Sequence, residues 1–435
     1  QLVVGNGGFK ISPVVGHDAS IRLDYLSLDK WSDLMHVPQS TTQSVLSSMK
    51  TPTIPVPTRV SMDVQNLELG GIEFHDVNLN ARKKNLSWQL DVDSQEVKGK
   101  ANYLKPSELS VSLDHLHLYI PGFDEMTKER GSLFASEDQA APLISNFDRK
   151  FHAEMPNLTL SIDDFWLQGY KVGKVNVDVA RANNRLEWKN VNFSSGQNRV
   201  DMSGWWELTK ERSHSNLTMK VKGENNSDLM ERFGITSGIQ QAPFEINAKL
   251  GWDGAPWSMK TQSLQGDVST EFGKGVITEV SGAARLLGLF SLDSIIRKMQ
   301  LDFTDVFDKG MAFNSITGTG KIQDGVFITN DIEMDALAGE MKIRGIADMN
   351  TRLVDAEVNF TPDITSGIPM LTAFAVAPQT ALYVLAISTV ISPVVEVFTQ
   401  VNYEVKGPLD SPTVKEVSRS KGEYKLPEKL REQAK

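Results

Sequence analysis

Apolar and polar residues alternate along much of the chain before residue 364, which is the pattern of β-strands with one buried face. The clearest alternating runs lie at residues 86–92, 175–179, 244–250 and 354–360. Pairs such as Asn183-Asn184 and Asp324-Gly325 separate the runs, and such pairs favour tight turns. The pattern therefore predicts antiparallel strands that are joined by short turns and share one apolar face.

One group of strands is repeated further along the chain. The apolar positions of residues 77–88 recur at residues 177–188, where the pair Leu86 and Trp88 becomes Leu186 and Trp188. Repeated strand groups with no helix between them indicate a sheet that grows by stacking. We therefore expect a mainly β fold: an elongated, curved antiparallel sheet that forms a hydrophobic groove, with a few short helices toward the C-terminal end.

The same pattern suggests how the chain is divided. Residues 30–57 and 122–149 lack the alternation and are interpreted as excursions from the sheet. We expect incomplete groove strands and an excursion at 1–57, a β repeat at 58–156, a second repeat at 157–227, a C-terminal region at 228–412 and a mobile polar tail at 413–435. The C-terminal region is expected to hold helices near 282–299 and 366–392, the first because Leu292, Ile295, Ile296 and Met299 share one helix face.

Residues 364–395 contain no charged residue, but Pro369, Pro378 and Pro393 interrupt them. The piece 379–392 is apolar nearly all round, yet it is shorter than the roughly 20 residues needed to span a bilayer. It is predicted to be a helical end-piece that either touches a membrane or caps the open end of the sheet. The candidate contact residues are Ile368, Met370, Leu371, Phe374, Leu382, Tyr383, Leu385, Ile387 and Ile391.

A long sheet with one apolar face and few helices must cover that face in some way, because monomers rarely expose large apolar patches. Either a second sheet closes over it, or the sheet curls into a trough that an apolar ligand fills. Packing in a core is the simpler interpretation for any single Trp. The residues predicted to line a trough are Leu86, Trp88, Leu90, Val177, Val179, Leu186, Trp188, Phe244, Ile246 and Leu250.

Composition excludes several functions. The 435 residues are 40% hydrophobic and 23% charged, as in a folded protein, and the net charge of −10 argues against a nucleic-acid partner. The chain has no Cys, which removes disulfides and thiolate chemistry and suits an oxidising compartment. His115 and His117 lack further ligands nearby, and no nucleophile motif occurs. We therefore expect no catalytic residue, no metal and no cofactor.

Residues 282–310 and 403–412 carry a specific arrangement of apolar, Gly and Asp positions. The fixed positions in the first stretch are Arg285, Leu286, Leu287, Gly288, Asp302, Phe303, Asp305, Phe307 and Gly310. This arrangement resembles the C-terminal signature of the AsmA-like family. The resemblance is dense from about residue 228 to residue 412, whereas residues 1–227 match only as repeated β-strands.

The resemblance implies a periplasmic protein of a Gram-negative bacterium that moves phospholipid between the inner and outer membranes. Its partners would be phospholipid acyl chains in the groove, the outer membrane at the C-terminal end, and the inner membrane through an anchor before Gln1. This chain would be the C-terminal, outer-membrane-facing part, and the family has no catalytic residues to carry over. The alternative is a structural spacer or an assembly factor for outer-membrane proteins, in which apolar faces pair in a closed β-sandwich.

Overall fold

The computed structural model describes residues 2–5, 17–28, 57–69, 72–104, 107–119, 144–167, 169–225, 239–277, 311–336, 339–363, 394–409 and 412–425. These residues are almost entirely in β-strands, so the mainly β prediction is confirmed. The chain divides into two compact units. Unit 1 comprises residues 1–126 and 150–196, and unit 2 comprises residues 127–149 and 197–435.

Unit 1 is built from ten strands that pair in chain order. They are β1 (Leu2–Gly5), β2 (Asp18–Ser27), β3 (Arg59–Leu69), β4 (Ile72–Lys84), β5 (Ser87–Asp93), β6 (Val97–Leu104), β7 (Glu108–Leu118), β8 (Asn157–Leu167), β9 (Tyr170–Ala182) and β10 (Arg185–Ser195). Helix α1 (Asn146–Glu154) lies between β7 and β8 in the chain. Asp148 and Ser145 cap its N-terminus: Ser145 N donates to Asp148 Oδ2 (2.8 Å), and Asp148 N donates to Ser145 Oγ (3.0 Å).

Three neighbouring pairs in unit 1 are parallel, which the prediction of an antiparallel sheet did not include. They are β1 with β2, β2 with β3, and β7 with β8. A parallel neighbour requires a crossover of a dozen or more residues. The two stretches without alternation, 30–57 and 122–149, lie in the β2–β3 and β7–β8 connections. They therefore supply the crossovers that return the chain to the same end of the sheet.

Unit 2 is built from antiparallel strands. They are β11 (Asn198–Leu208), β12 (Ser213–Gly223), β13 (Ile239–Gln240), β14 (Phe244–Asp253), β15 (Gln265–Phe272), β16 (Gly275–Ile277), β17 (Met311–Gln323), β18 (Val326–Ala336), β19 (Gly339–Asp348), β20 (Leu353–Pro362), β21 (Val394–Pro408) and β22 (Thr413–Lys425). The short β13 and β16 pair with each other, and β16 also pairs with β17. A 3-10 turn at Thr261–Ser263 precedes β15.

The predicted turns are present. Asn183 (φ 55°) separates β9 from β10, and Asp324 (φ 50°) and Gly325 (φ 76°) separate β17 from β18. Both central residues of the second turn have positive φ, as a two-residue hairpin of the right-handed twist requires. At Gly325 a Cβ atom would lie 2.4 Å from the carbonyl oxygen of Thr261, so this position also needs glycine for space.

The C-terminal segment differs from the prediction of a mobile tail. Residues 413–425 form β22, which pairs with β21 from Val394 opposite Lys425 to Lys406 opposite Thr413. The side chains of residues 415–420 are exposed, so the strand shows little apolar alternation. Its backbone nevertheless satisfies the N–H and C=O groups along the edge of β21. The helices expected near 282–299 and 366–392 lie outside the described residues.

An ion pair ties the β5–β6 turn to β4 in unit 1. Glu96 accepts hydrogen bonds from the backbone N of His75 (2.7 Å) and lies 2.6 Å from its ring Nδ1. The hydrogen bond with Glu96 raises the pKa of His75 above 6.5. The stabilisation is therefore complete below pH 6.5 and is lost as pH rises through the raised pKa of the folded protein.

We expect Glu96→Gln, which keeps an acceptor for His75 N, to remove this pH dependence. In urea unfolding at pH 6 and pH 8, the wild-type advantage over the variant should be present at pH 6 and smaller at pH 8. Because the pair is partly exposed, the difference should stay below about 1 kcal/mol. If the stability advantage of wild type over Glu96→Gln grew with pH, the ion pair between His75 and Glu96 would not be its cause.

Candidate functional site

The strand register of unit 1 aligns apolar residues into two rows across the sheet, because paired residues lie side by side on one face. We call these the inner rows. The first inner row comprises Ala19, Val60, Ala81, Leu90, Ala101, Val111, Leu160, Val177 and Val191. The second comprises Ile21, Met62, Leu79, Val92, Gly99, Leu113, Ile162, Val175 and Phe193. Neither row contains a charged or polar side chain.

A third row runs beside the first inner row on the same face and contains amphipathic rings. This aromatic row comprises Trp88, Tyr103, Leu109, Leu158, Val179 and Trp188. Lys83 of β4 lies directly opposite Trp88 and so belongs to the same face. The inner rows and the aromatic row together form what we call the apolar face of unit 1.

The other face of unit 1 is polar in the same register. Its rows are Asp18, Arg59, Arg82, Gln89, Asn102, Ser110, Thr159, Asp178 and Asn190, and then Ser20, Ser61, Asn80, Asp91, Lys100, Ser112, Ser161, Asn176 and Asn192. Some of these side chains bond to one another, as Ser161 Oγ does to Asn176 Oδ1 (3.1 Å). Unit 1 therefore has one face suited to water and one suited to apolar atoms.

Burial varies along the apolar face. Ile162 is 3% exposed and packs with Leu113, Val172 and Val175. Leu90, Val111 and Leu160 in the first inner row remain half-buried, as do Trp88 and Trp188. Side chains packed between two sheets would be almost inaccessible. This part of the face is therefore only partly covered.

A cavity of about 870 Å³ opens on the polar face of β4–β8, not on the apolar face. A twisted sheet is saddle-shaped, so each of its faces is concave along one diagonal. The side chains that line this cavity are mostly polar or charged, including Asn80, Arg82, Gln89, Asp91, Lys100 and Asn102. Such a lining does not suit acyl chains, because an unpaired polar group loses hydration against them.

Most of the predicted lining residues of unit 1 lie on the apolar face. Leu90 and Val177 are in the first inner row, and Trp88, Val179 and Trp188 are in the aromatic row. All five lie on the same side of the sheet although they come from three strands, β5, β9 and β10. Alternation along the sequence was enough to assign each of them to the apolar side of its own strand.

Leu86 and Leu186 differ, although the repeat relates them. Leu186 is 1% exposed on β10, beside Arg181, whose guanidinium donates to the carbonyl oxygens of His152 and Met155 near the end of α1. Leu86 lies in the β4–β5 turn and is 72% exposed. The β9–β10 turn falls two residues earlier in the repeat, so the sequence correspondence breaks at this position.

The three predicted lining residues of unit 2 lie on β14. Phe244 is 5% exposed and stacks on Phe272 at a centroid distance of 6.2 Å. Ile246 and Leu250 are half-buried, and Leu250 packs against a cluster that includes Trp252. The row through Phe244 continues across the sheet and is buried throughout, with Phe272, Ile316, Met334, Met341, Phe360 and Val401.

Two of the four Trp residues of unit 2, Trp206 and Trp252, are buried, whereas Trp205 is half-buried and Trp257 is 45% exposed. Trp206 is fully buried, donates Nε1–H to Ser213 Oγ (2.9 Å) and meets Trp257 edge-on at 5.1 Å. Trp257 in turn donates to Asp148 Oδ1 (3.1 Å). Burial also raises the pKa of Tyr403 on β21 to about 12. The fully buried Trp206, whose Nε1–H is hydrogen-bonded, is typical of a closed core.

The two His residues of β7 lie on the polar face beside Trp166. Their rings are 5.2 Å apart, and the His117 ring lies 5.8 Å from that of Trp166. Lys171 pairs with Asp164 (2.8 Å), and this hydrogen bond lowers the pKa of the Asp164 carboxyl. Within the described ranges, no three His, Asp or Glu side chains converge as a metal site would require.

Several residues of the apolar face were not among the predicted ones, notably Tyr103, Val111, Leu160 and Lys83. Each apolar member lies in a run of alternating residues, but its place in the row of Trp88 or of Leu90 depends on strand register. The family-signature positions from Arg285 to Gly310 and the end-piece residues from Ile368 to Ile391 lie outside the described residues. In the part of the chain that is described, no helix has the length and apolarity to cross a bilayer.

These features define a mainly β protein in which one unit carries a continuous, half-covered apolar face. The chain belongs to the family described as YhdP protein, whose model matches residues 1–414, and the resemblance to AsmA-like proteins is thereby confirmed. It is 27% identical over 365 residues to the intermembrane phospholipid transporter YhdP of Escherichia coli (strain K12).

That alignment covers 83% of this chain but only 28% of the relative, so the chain spans less than a third of the relative's length. No solved structure shows significant similarity to the chain. Phospholipid transport between membranes is what the name of this relative states.

Proposed function

We propose that this chain is part of an intermembrane phospholipid transport protein of a Gram-negative envelope, and that its apolar face binds acyl chains. The observation that carries the proposal is the pair of inner rows, which cross the strands of unit 1 without a polar side chain while Leu90, Val111 and Leu160 stay half-buried. The relationship to a phospholipid transporter supports the same class of ligand.

The energetics of such a surface favour acyl chains. Covering apolar area contributes about 25 cal/mol for each Å², so a lipid tail that covers several side chains is held without any specific polar contact. Binding of this kind is non-directional, and a tail can move from one row to the next with little change in contact. Transport along the face is therefore passive and needs no catalytic residue or cofactor.

The proposal has finer parts, which the resemblance to the family supports. The chain acts in the periplasm as the C-terminal part of a longer protein, and its uncharged segment 364–395 faces the outer membrane or closes the groove there. Phospholipid and the two membranes are its partners. The inner membrane is reached through an anchor that precedes Gln1.

A second function has one observation in its favour. The row from Phe244 to Val401 in unit 2 is buried along its whole length, as in a closed β core. If the rest of the protein packs in this way, the chain is a structural spacer or an assembly factor for outer-membrane proteins. The transport function predicts that the purified chain carries lipid, whereas the structural function predicts that it does not.

Lipid content of the purified chain tests the proposal. The full chain, exported to the periplasm of a Gram-negative host and purified without detergent, should carry phospholipid when its mass is measured by native mass spectrometry. The expected spectrum shows adducts at phospholipid masses that disappear after organic extraction. A lipid-free spectrum that remains so after incubation with phospholipid vesicles would favour the structural spacer.

A further inference from the structure

The two ends of the strands in unit 1 differ in charge. At one end β2, β3, β5, β7, β8 and β10 begin, and β4, β6 and β9 finish. We call this the basic end. Its cations are Arg59, Arg82, Lys83, Lys84, Arg181 and Arg185, and its anions are Asp18, Glu108 and Glu187.

The opposite end, which we call the acidic end, carries mainly carboxylates: Glu68, Glu73, Asp93, Glu96, Asp163 and Asp164. Its lysines are already neutralised. Lys98 pairs with Asp93, Lys171 with Asp164 and Lys174 with Asp163, each at 2.8 Å. A phosphate at the acidic end would therefore meet net negative charge.

Not all cations of the basic end are available to a ligand. Arg59 pairs with Asp18 (2.8 Å), and Arg181 donates to Met155 O (3.0 Å). Among the described residues, no ion pair involves Arg82, Lys83 or Lys84, and all three side chains are exposed. Of these three, Lys83 alone lies on the apolar face, because it pairs with Trp88, while Lys84 pairs with Ser87.

The apolar face changes in chemistry from the basic end inward. The row nearest the basic end contains Lys83 together with Trp88, Tyr103 and Trp188, and the inner rows follow it. Trp and Tyr favour the boundary between headgroups and hydrocarbon because their rings are amphipathic. A row with a cation and amphipathic rings, followed by aliphatic rows, matches the order of headgroup region and hydrocarbon in one leaflet of a bilayer.

The dimensions agree with this order. Lys83 and Val77 lie on the same strand, six residues apart, which corresponds to about 20 Å. Half of the hydrocarbon core of a bilayer is about 15 Å thick. The face is therefore wide enough for an acyl chain to lie along the strand direction while its headgroup remains at the basic end.

We propose that phospholipids bind the apolar face of unit 1 in one orientation, with an anionic phosphate beside Lys83 and acyl chains on the inner rows. This rests on the proposed function, which says only that acyl chains bind there. The orientation means that headgroups leave the face on one side, at the basic end. It also means that a lipid with a phosphate is held more tightly than one without.

A pair of neighbouring substitutions tests the orientation. Lys83→Glu and Lys84→Glu make the same change of charge at adjacent exposed residues on opposite faces of β4. Native mass spectrometry of the full chain measures occupancy by phosphatidylglycerol and by diacylglycerol, which has the same tails and no phosphate. We expect Lys83→Glu to lower phosphatidylglycerol occupancy about fivefold, as for an exposed charge contact. Diacylglycerol occupancy should not change, and Lys84→Glu should behave as wild type.

A lipid with a photoreactive group in its headgroup should crosslink to the peptide around residues 82–88. Crosslinks at residues 93–96, or equal occupancy in the two variants, would overturn the orientation while leaving the acyl-binding proposal intact. Glycerol phosphate, which has the phosphate but no tails, should not bind; binding that depends on Lys83 would mean a site for free phosphate instead. If wild type binds neither lipid, the proposed function fails, and the orientation fails with it.

Discussion

Val111→Asp should remove most of the bound lipid while the protein stays folded. Val111 lies in the first inner row between Ala101 and Leu160 and is half-buried, so water can reach a carboxylate there in the absence of lipid. An acyl chain on the face would strip that water from the carboxylate at a cost of several kcal/mol. Since about 1.4 kcal/mol corresponds to a factor of ten, lipid occupancy in native mass spectra should fall at least about tenfold.

The control for this variant is the next residue of the same strand. Ser112→Asp introduces the same charge on the polar face, opposite Lys100, and should keep wild-type lipid occupancy. Leu160→Asp, one strand away in the same row, should repeat the effect of Val111→Asp. Circular dichroism and urea unfolding of each variant check that the fold is kept. Equal lipid loss in Val111→Asp and Ser112→Asp would show that added negative charge on either face weakens lipid binding, and that the apolar face is not the binding surface.

The sequence placed residues correctly within a strand but not across strands. Alternation assigned Trp88, Leu90, Val177 and Trp188 to one side of their strands, and the register confirms that they share a face. Register between strands follows from pairing and turn geometry, which a single alternating run does not contain. For this reason the position of Lys83 beside Trp88, on which the orientation of lipid depends, emerged only with the structure.

Two other differences have the same origin. The parallel join of β7 and β8 is formed through a long crossover, and alternation is the same in parallel and antiparallel strands when one face is exposed. Strand β22 is held by the backbone pairing of Val394–Lys406 with residues 413–425, and its exposed polar side chains carry no apolar period. Both differences arise from backbone hydrogen bonding between strands. The pattern of apolar side chains indicates such pairing only where one face of the strand is buried.

Phe360→Ala should be among the most destabilising single changes in unit 2. Phe360 is 1% exposed and lies between Met341 and Val401 in the buried row that begins at Phe244. Truncating a buried Phe leaves a cavity and typically costs about 3–5 kcal/mol. The unfolding free energy from urea titration should fall by that amount. Amide hydrogen exchange in β19–β21 should become about a hundredfold faster or more, since each 1.4 kcal/mol is a factor of ten.

Thr361→Ala is the matched control, because the neighbouring side chain is exposed on the opposite face and should change stability by less than about 1 kcal/mol. The comparison decides what the buried row of unit 2 is. A side chain that lines an open groove contacts few partners and loses little stability when it is shortened. If Phe360→Ala costs no more than Thr361→Ala, the row is a lipid-facing surface like that of unit 1, and the closed-core interpretation of unit 2 is wrong.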